Sequence, residues 1–227
     1  MKPDRKTATV AGILFILATA FSLASTGVTG PILGASNYLT SASSNANQMV
    51  LGVLLLLGAA VSVVLIPAAL FPVLKRYSES KALGYFGIRI LEAVTMVIGA
   101  VSLLALVSSG QQYVKAGVSM VSTFQASGTL WLAVHNWLFG LDPIIFGFGG
   151  LLLYYLLYTH RLVPRWLSLW GIIGVVLVMA FGMLQLFSSG PVYLALPIAV
   201  QEMAMAAWFI VKGFNPSAIA PGSAKQI

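Results

Sequence analysis

The chain has 227 residues, of which 59% are hydrophobic and only 7% are charged. Soluble domains carry about 25% charged residues, and the mean hydropathy of this chain is +0.96, so the composition excludes a soluble globular fold and indicates an integral membrane protein. The net charge of +7 does not indicate nucleic-acid binding, because the basic residues flank apolar runs, where they set orientation and meet anionic headgroups of the lipid bilayer.

Six apolar runs are long enough to cross a bilayer, which takes about 20 residues of helix. The predicted spans are 8–28, 49–73, 83–107, 129–158, 166–187 and 192–211. The first run follows Lys2, Arg5 and Lys6 and resembles a signal peptide in its charge pattern. It is longer than the roughly 7 to 15 residues of a signal core, so we interpret it as the first membrane helix.

Two segments between the runs have the composition of polar loops. Residues 30–48 carry no charge and are rich in Ser, Asn and Thr, and residues 108–128 carry Lys115 as their one charge. Such clusters between periodic segments are typical of loops. We therefore predict loops over both segments.

The fourth run contains a proline where a helix is expected to break. Pro143 disfavours helical geometry at Asp142 and removes a donor to the carbonyl of Phe139. We predict a break near mid-membrane. Near the end of this run, an interfacial aromatic belt is predicted from Tyr154, Tyr155 and Tyr158.

The basic residues outside the membrane indicate an orientation. With both termini cytoplasmic, ten basic residues lie on the inner side and Lys115 alone lies outside, as the positive-inside rule requires. The inner residues are Lys2, Arg5, Lys6, Lys75, Arg76, Lys81, Arg161, Arg165, Lys212 and Lys225. The predicted fold is an all-α bundle of six transmembrane helices, one domain over residues 1–215, with both termini cytoplasmic and a disordered tail over 216–227.

Five polar side chains inside apolar runs are the candidate ligand-binding or ion-pair residues. They are Arg89, Glu92, His135, Asp142 and Glu202. A charge near the bilayer centre costs roughly 2.5 to 3.5 kcal/mol, so it usually faces a partner or a wet cavity. Arg89 and Glu92 are three residues apart and share one helix face.

The depths of the three carboxylates predict a single shared site. Counting 1.5 Å per residue places Glu92, Asp142 and Glu202 within a few Å of mid-depth on three separate helices. His135 precedes Asp142 by seven residues and lies on the same face, toward the outer side. One arginine cannot neutralise three carboxylates, so we expect at least one of them to be protonated or to have another cationic partner.

The leading hypothesis is a small carrier or ligand-binding membrane protein with an unknown small ligand at this mid-membrane site. One alternative is a non-transporting accessory or sensory protein, whose ion pair is scaffold and whose partner is another membrane protein. Another is an intramembrane enzyme acting on lipid-like substrates, with Glu202 or Asp142 as acid or base. A third reading treats the buried charges purely as helix-packing contacts.

No cofactor, metal or catalytic residue is predicted. The chain has no cysteine, its two histidines lie far apart, and it contains neither H-E-x-x-H nor G-x-S-x-G. A thiolate metal centre and a cysteine nucleophile are therefore excluded.

Several stretches resemble a known family of bacterial membrane proteins. They are FGIRILEA at 86–93, GGLLLYYLLY at 149–158, RLVPRWLSLWGIIG at 161–174 and LPIAVQEMAMAAWFIVKGF at 196–214. These resemble the integral membrane family catalogued as domain of unknown function 4386, from about Arg5 to Asn215. The resemblance implies six membrane helices in a bacterial plasma membrane, and it implies no activity or substrate.

Reporter fusions test the predicted orientation. Fusions after Gly34, Lys75, Lys115, Arg161 and Ile227 should report outside, inside, outside, inside and inside, because the basic loops stay in the cytoplasm. The measurement is the activity of a reporter that works on only one side of the membrane. An external C-terminus would contradict the topology.

Overall fold

The computed structural model describes residues 3–116, 120–187 and 190–218, and within these ranges the chain is helical and has no β-strand. The helices are α1 (Pro3–Leu33), α2 (Tyr38–Ser44), α3 (Ala46–Leu74), α4 (Glu79–Lys115), α5 (Val121–Thr159), α6 (Arg165–Phe187) and α7 (Leu196–Val211), with a 3₁₀ turn at Val192–Ala195. All except α2 belong to segments long and apolar enough to cross a membrane. The predicted all-α class with six membrane helices is therefore confirmed, and the orientation of the termini stays a prediction.

The six long helices form a ring in which each helix packs against its neighbours in sequence. The contacts run from α1 to α3, α4, α5, α6 and α7 in turn, and α7 packs back against α1. The short α2 lies outside this order and packs mainly against α4, where it buries Leu39 and Ala42. A ring of helices has an interior, and the polar side chains of the membrane segments collect there.

The end of the ring that carries the chain termini is held by side-chain to backbone hydrogen bonds. Arg5 Nη2 donates to the carbonyls of Ile210 and Val211, at 2.8 Å each, and so satisfies two orphan carbonyls at the end of α7. Asn215 Nδ2 donates to the Arg161 carbonyl at 2.6 Å, and the Asn215 backbone N–H donates to the Leu162 carbonyl at 2.9 Å. Residues 216–218 form a turn in which Ala218 is buried. The rest of the predicted disordered tail, 219–227, lies outside the described residues.

The predicted helix break at Pro143 is wrong. The helix α5 runs without interruption from Val121 to Thr159, and α3 likewise continues through Pro67 and Pro72. In hydrocarbon there is no water to pair with freed backbone groups, so a continuous helix that loses one hydrogen bond satisfies more of them than a broken one.

The two predicted loops are mostly helical. Within residues 30–48, α1 continues to Leu33, α2 occupies 38–44 and α3 has begun by Ala46. Within residues 108–128, α4 and α5 leave 116–120 between them, of which 117–119 lie outside the described residues. Some of the polar residues that indicated loops bond to preceding carbonyls: Asn45 Nδ2 donates to Ser41, and the Ser108 and Ser109 hydroxyls donate to Leu104 and Ala105.

Tyr154 belongs to the core, so the predicted aromatic belt is wrong for this residue. Its side chain is 1% exposed, whereas the neighbouring Tyr155 is 46% exposed. The Tyr154 hydroxyl donates to Gln201 Oε1 at 2.7 Å, and Gln201 Nε2 donates to the Leu167 carbonyl at 3.0 Å. This chain of hydrogen bonds joins α5, α7 and α6.

Ring closure depends on a close approach of α1 and α7 at Gly12. A Cβ atom at this position would lie 2.7 Å from the Ala206 carbonyl oxygen and 2.8 Å from Ile210 Cγ1. Both distances are too short for real contacts, so only glycine permits this spacing. Gly27, farther along α1, has nothing within 4 Å of the same position.

Substitution of these two glycines tests the closure. Gly12→Ala should lower the free energy of unfolding by about 1 to 3 kcal/mol, because the methyl group forces α1 away from α7. Gly27→Ala, in the same helix, should be neutral or stabilising by about 0.5 to 1 kcal/mol, since alanine is the better helix former. The measurement is the melting temperature in detergent, and equal shifts for the two variants would contradict the close approach.

Candidate functional site

Arg89 and Glu92 form a buried ion pair within α4. Arg89 Nη1 donates to both carboxylate oxygens of Glu92, at 2.9 and 2.8 Å. The two side chains are 3% and 5% exposed. The helical spacing of three residues brings them onto one face, as the sequence predicted, and the face points into the ring.

The rest of the Arg89 guanidinium contacts three other side chains. Nε donates to the Tyr85 hydroxyl at 3.3 Å, and the guanidinium carbon lies 5.0 Å from the centre of the Phe146 ring. Nη2 lies 4.0 Å from Glu202 Oε1 on α7. Arg89 is thus a counterion shared by carboxylates on two helices, and the Phe146 ring of α5 adds a cation–π contact.

Asp142 reaches the same cluster through Thr95. Thr95 Oγ1 lies 2.6 Å from Asp142 Oδ1 and 2.7 Å from the backbone carbonyl oxygen of Glu92. Among the residues that the structure describes, Asp142 forms no ion pair with Arg89. The third carboxylate is therefore connected to α4 by a hydroxyl group and not by the guanidinium.

Two adjoining cavities lie inside the ring beside these residues. The first, about 210 Å³, is called here the charged cavity, and its polar lining includes Arg89, Glu92, Asp142 and Glu202. The second, about 360 Å³, is called the hydroxyl cavity, and its polar lining includes Ser22, Ser25, Thr26, Thr29, Thr95, His135, Asn136 and Asp142. Ser22, Met96 and Asp142 line both cavities. Asp142 therefore lies at their junction.

The hydroxyl cavity lies between the charges and the end of the ring opposite the termini. Its α1 residues, 22–33, are in the second half of that helix, which starts at the termini end. Its α5 residues lie between 135 and 143, from the first half to just past the middle of a helix that runs the other way. Under the predicted topology this end faces outward.

A larger groove, about 880 Å³, lies on the outer surface of α4, α5 and α6 and is not the candidate site. Its lining is apolar apart from Lys81 and Tyr155, whose ammonium and ring are 4.7 Å apart. Exposed apolar surface on these helices is what a lipid-facing side requires.

The structure brings four of the five sequence-predicted residues into one cavity and places the fifth next to it. Arg89, Glu92, Asp142 and Glu202 line the charged cavity, and His135 lines the hydroxyl cavity together with Asp142. Nδ1 of His135 is buried and has no hydrogen-bond partner within the described part of the chain. Within that part, no group of three or more His, Asp or Glu residues is placed to hold a metal ion.

Sequence reasoning missed Thr95, Tyr85 and Gln201. Thr95 follows Glu92 by three residues, so the spacing that paired Arg89 with Glu92 also places Thr95 on the same face. Tyr85 precedes Arg89 by four residues on that face. Gln201 is a fully buried amide in a membrane helix. The candidates predicted from the sequence are only charged residues and histidine in the apolar runs, so they include Glu202 and leave out Gln201.

A six-helix ring with a charged interior defines an integral membrane protein of the multi-pass class. The chain belongs to the family described as a domain of unknown function, DUF4386, which matches residues 10–213. No curated protein and no solved structure matches the chain. The family membership confirms the resemblance seen in the sequence and carries no activity with it.

Removal of Arg89 tests the importance of the shared counterion. Arg89→Leu should lower the free energy of unfolding by roughly 3 to 5 kcal/mol, because it leaves buried carboxylates without their partner. Arg89→Leu with Glu92→Leu should recover much of this loss, since an apolar pair replaces a charged one. The measurement is the melting temperature in detergent.

A matched control is the surface pair of Arg76 and Asp4, 2.7 Å apart, in which Arg76 is 42% exposed. Arg76→Leu should cost no more than about 1 kcal/mol. A wild-type melting temperature for Arg89→Leu would contradict the shared-counterion arrangement.

Proposed function

We propose that this protein is a small carrier or ligand-binding membrane protein whose charged cavity takes a small, hydrogen-bond-donating ligand, best matched by an organic cation. The observation that carries the proposal is a cavity of about 210 Å³ inside a membrane helix ring, lined by one arginine and three carboxylates. Ionisable residues at such depth are expensive and mark ligand or ion sites in membrane proteins.

The ligand chemistry follows from the balance of donors and acceptors around the cavity. Arg89 already donates to Glu92 through Nη1 and to Tyr85 through Nε. Glu202 is at ion-pair distance from Arg89 but accepts no hydrogen bond from the residues described. Its carboxylate oxygens line the cavity with unused acceptor capacity. A ligand with N–H donors or positive charge would supply the hydrogen-bond donors that the Glu202 carboxylate lacks.

The cavity walls and volume favour a small ligand with an apolar part. The walls include Phe15, Phe146, Val63 and Ile66 beside the charged groups. Drug-sized ligands occupy pockets of about 300 to 1,000 Å³, so the charged cavity alone suits a smaller molecule.

The proposed route to the site is the hydroxyl cavity. Its Ser and Thr hydroxyls and His135 provide polar contacts from the charged cavity toward the end opposite the termini. With cytoplasmic termini, the ligand enters from outside a bacterial plasma membrane. Polar side chains that line such a track replace part of the ligand's water shell.

Ligand-dependent stabilisation tests the proposal. Purified protein in detergent is heated with each of three probe sets: small ammonium compounds such as choline and ethanolamine, small carboxylates such as acetate and benzoate, and neutral polyols such as glycerol. At least one ammonium compound should raise the melting temperature, because a ligand at 100 times its dissociation constant adds about 2.7 kcal/mol to the folded state.

Two glutamate variants serve as the matched pair for this test. Glu202→Gln should abolish the stabilisation by ammonium compounds. Glu79→Gln removes the same charge from an exposed position at the start of α4 and should leave it intact. Preference for carboxylates, or no stabilisation by any probe set, would overturn the proposal. Copurification of a stoichiometric membrane partner in that case would support the accessory class instead.

A further inference from the structure

The contacts of Thr95 require more protons than Thr95 itself can supply. Its hydroxyl oxygen lies 2.7 Å from the Glu92 carbonyl oxygen and 2.6 Å from Asp142 Oδ1. Both distances are typical of O–H···O hydrogen bonds. A threonine hydroxyl has one hydrogen to donate, so it can donate to only one of these oxygens.

Two hydrogen bonds at Thr95 need two hydrogens, and of the two partner oxygens only that of Asp142 can carry the second one. A backbone carbonyl has no hydrogen, and an ionised carboxylate accepts hydrogen bonds without donating any. If Asp142 were ionised, one of the two short contacts would bring two acceptor oxygens together with no hydrogen between them. A protonated Asp142 removes the conflict, because its O–H donates to Thr95, and Thr95 donates to the Glu92 carbonyl.

We propose that Asp142 is a proton-binding site at the junction of the two cavities and that it holds a proton in this conformation. The proposal concerns the same cavity as the proposed function but rests on hydrogen-bond geometry alone. Protonation of Asp142 needs no ligand, so a failure of the proposed ligand binding would not overturn it, and the reverse also holds.

The charged groups around Asp142 are consistent with a neutral acid at this position. From α4 these are Arg89 and Glu92, from α5 His135, and from α7 Glu202. The residues with which α1 and α3 line the two cavities include no titratable side chain. Arg89 is already engaged by Glu92 at 2.8 Å and by Glu202 at 4.0 Å. Among the described residues, no cation is therefore at ion-pair distance from Asp142.

The position of Asp142 gives this proton a route of exchange. Asp142 lines the hydroxyl cavity as well as the charged one. Hydroxyl groups such as those of Ser22 and Thr95 can relay protons by turning. Loss of the proton would turn the Thr95 hydroxyl toward Asp142 and release the Glu92 carbonyl, so protonation sets the orientation of a group that joins α4 to α5.

Infrared spectroscopy with isotope labelling tests the proposal on the wild-type chain. The chain has two aspartates, Asp4 and Asp142, and Asp4 is ion-paired with Arg76 at 2.7 Å. In lipid at neutral pH, the protein should show the C=O stretch of a protonated carboxylic acid. Labelling the aspartate carboxyl groups with carbon-13 should move this band to lower frequency, and labelling the glutamates should not.

Three variants make the assignment specific to the Thr95 contact. Asp142→Asn should remove the band, and its amide N–H can still donate to Thr95, so the variant should stay folded. Glu202→Gln should keep the band. Thr95→Val should keep it but shift it to higher frequency, because the acid loses its acceptor. Absence of the band at neutral pH, or a band that moves only with labelled glutamate, would overturn the proposal.

Discussion

The interior of the ring depends on the compensation of one buried positive charge. The Arg89 side chain is buried and is matched by Glu92 on its own helix, by Glu202 on α7 and by the Phe146 ring on α5. Leaving such a charge uncompensated costs more than most single core contacts contribute. The faces that α4, α5 and α7 turn inward are therefore fixed together, and a change in the rotation of any of them breaks a contact with the guanidinium.

Two further hydrogen-bonded links also join the helices of the ring. The Tyr154–Gln201–Leu167 chain joins α5, α7 and α6 on the side nearer the termini, and the Thr95–Asp142 contact joins α4 to α5 at mid-ring. Interhelical hydrogen bonds in membranes contribute about 0.6 kcal/mol on average, so their main effect is to select one rotation of each helix. The two cavities lie beside the second link, and Asp142 lines both of them.

The sequence predicts the class of fold and the cluster well, and the details of helix continuity poorly. Six apolar runs leave no alternative to a helical membrane bundle, and intramembrane charges are rare enough that Arg89, Glu92 and Glu202 stand out without a structure. The failures at Pro143 and Tyr154 have one origin. Rules of local propensity are derived from proteins in water. In the bilayer a broken helix leaves backbone groups unpaired, so Pro143 stays in a helix, and packing in the ring determines that Tyr154 faces inward. Thr95 was not predicted because its contact with Asp142 joins residues that are distant in the chain.

The lengths of α4 and α5 have a consequence for how the two helices are held together. Helices of 37 and 39 residues are about 55 and 58 Å long, whereas the hydrocarbon core is about 30 Å thick. The two helices lie side by side, and their connected ends, with α2 wedged against Gly110 and Gly128 through Leu39, extend well past the hydrocarbon. The tip is about 30 Å from the Thr95–Asp142 contact. At the tip the two helices are joined by α2 and by the hydroxyls of Ser109 and Ser127, 3.1 Å apart, so the tip and the charged cluster are held by separate sets of contacts.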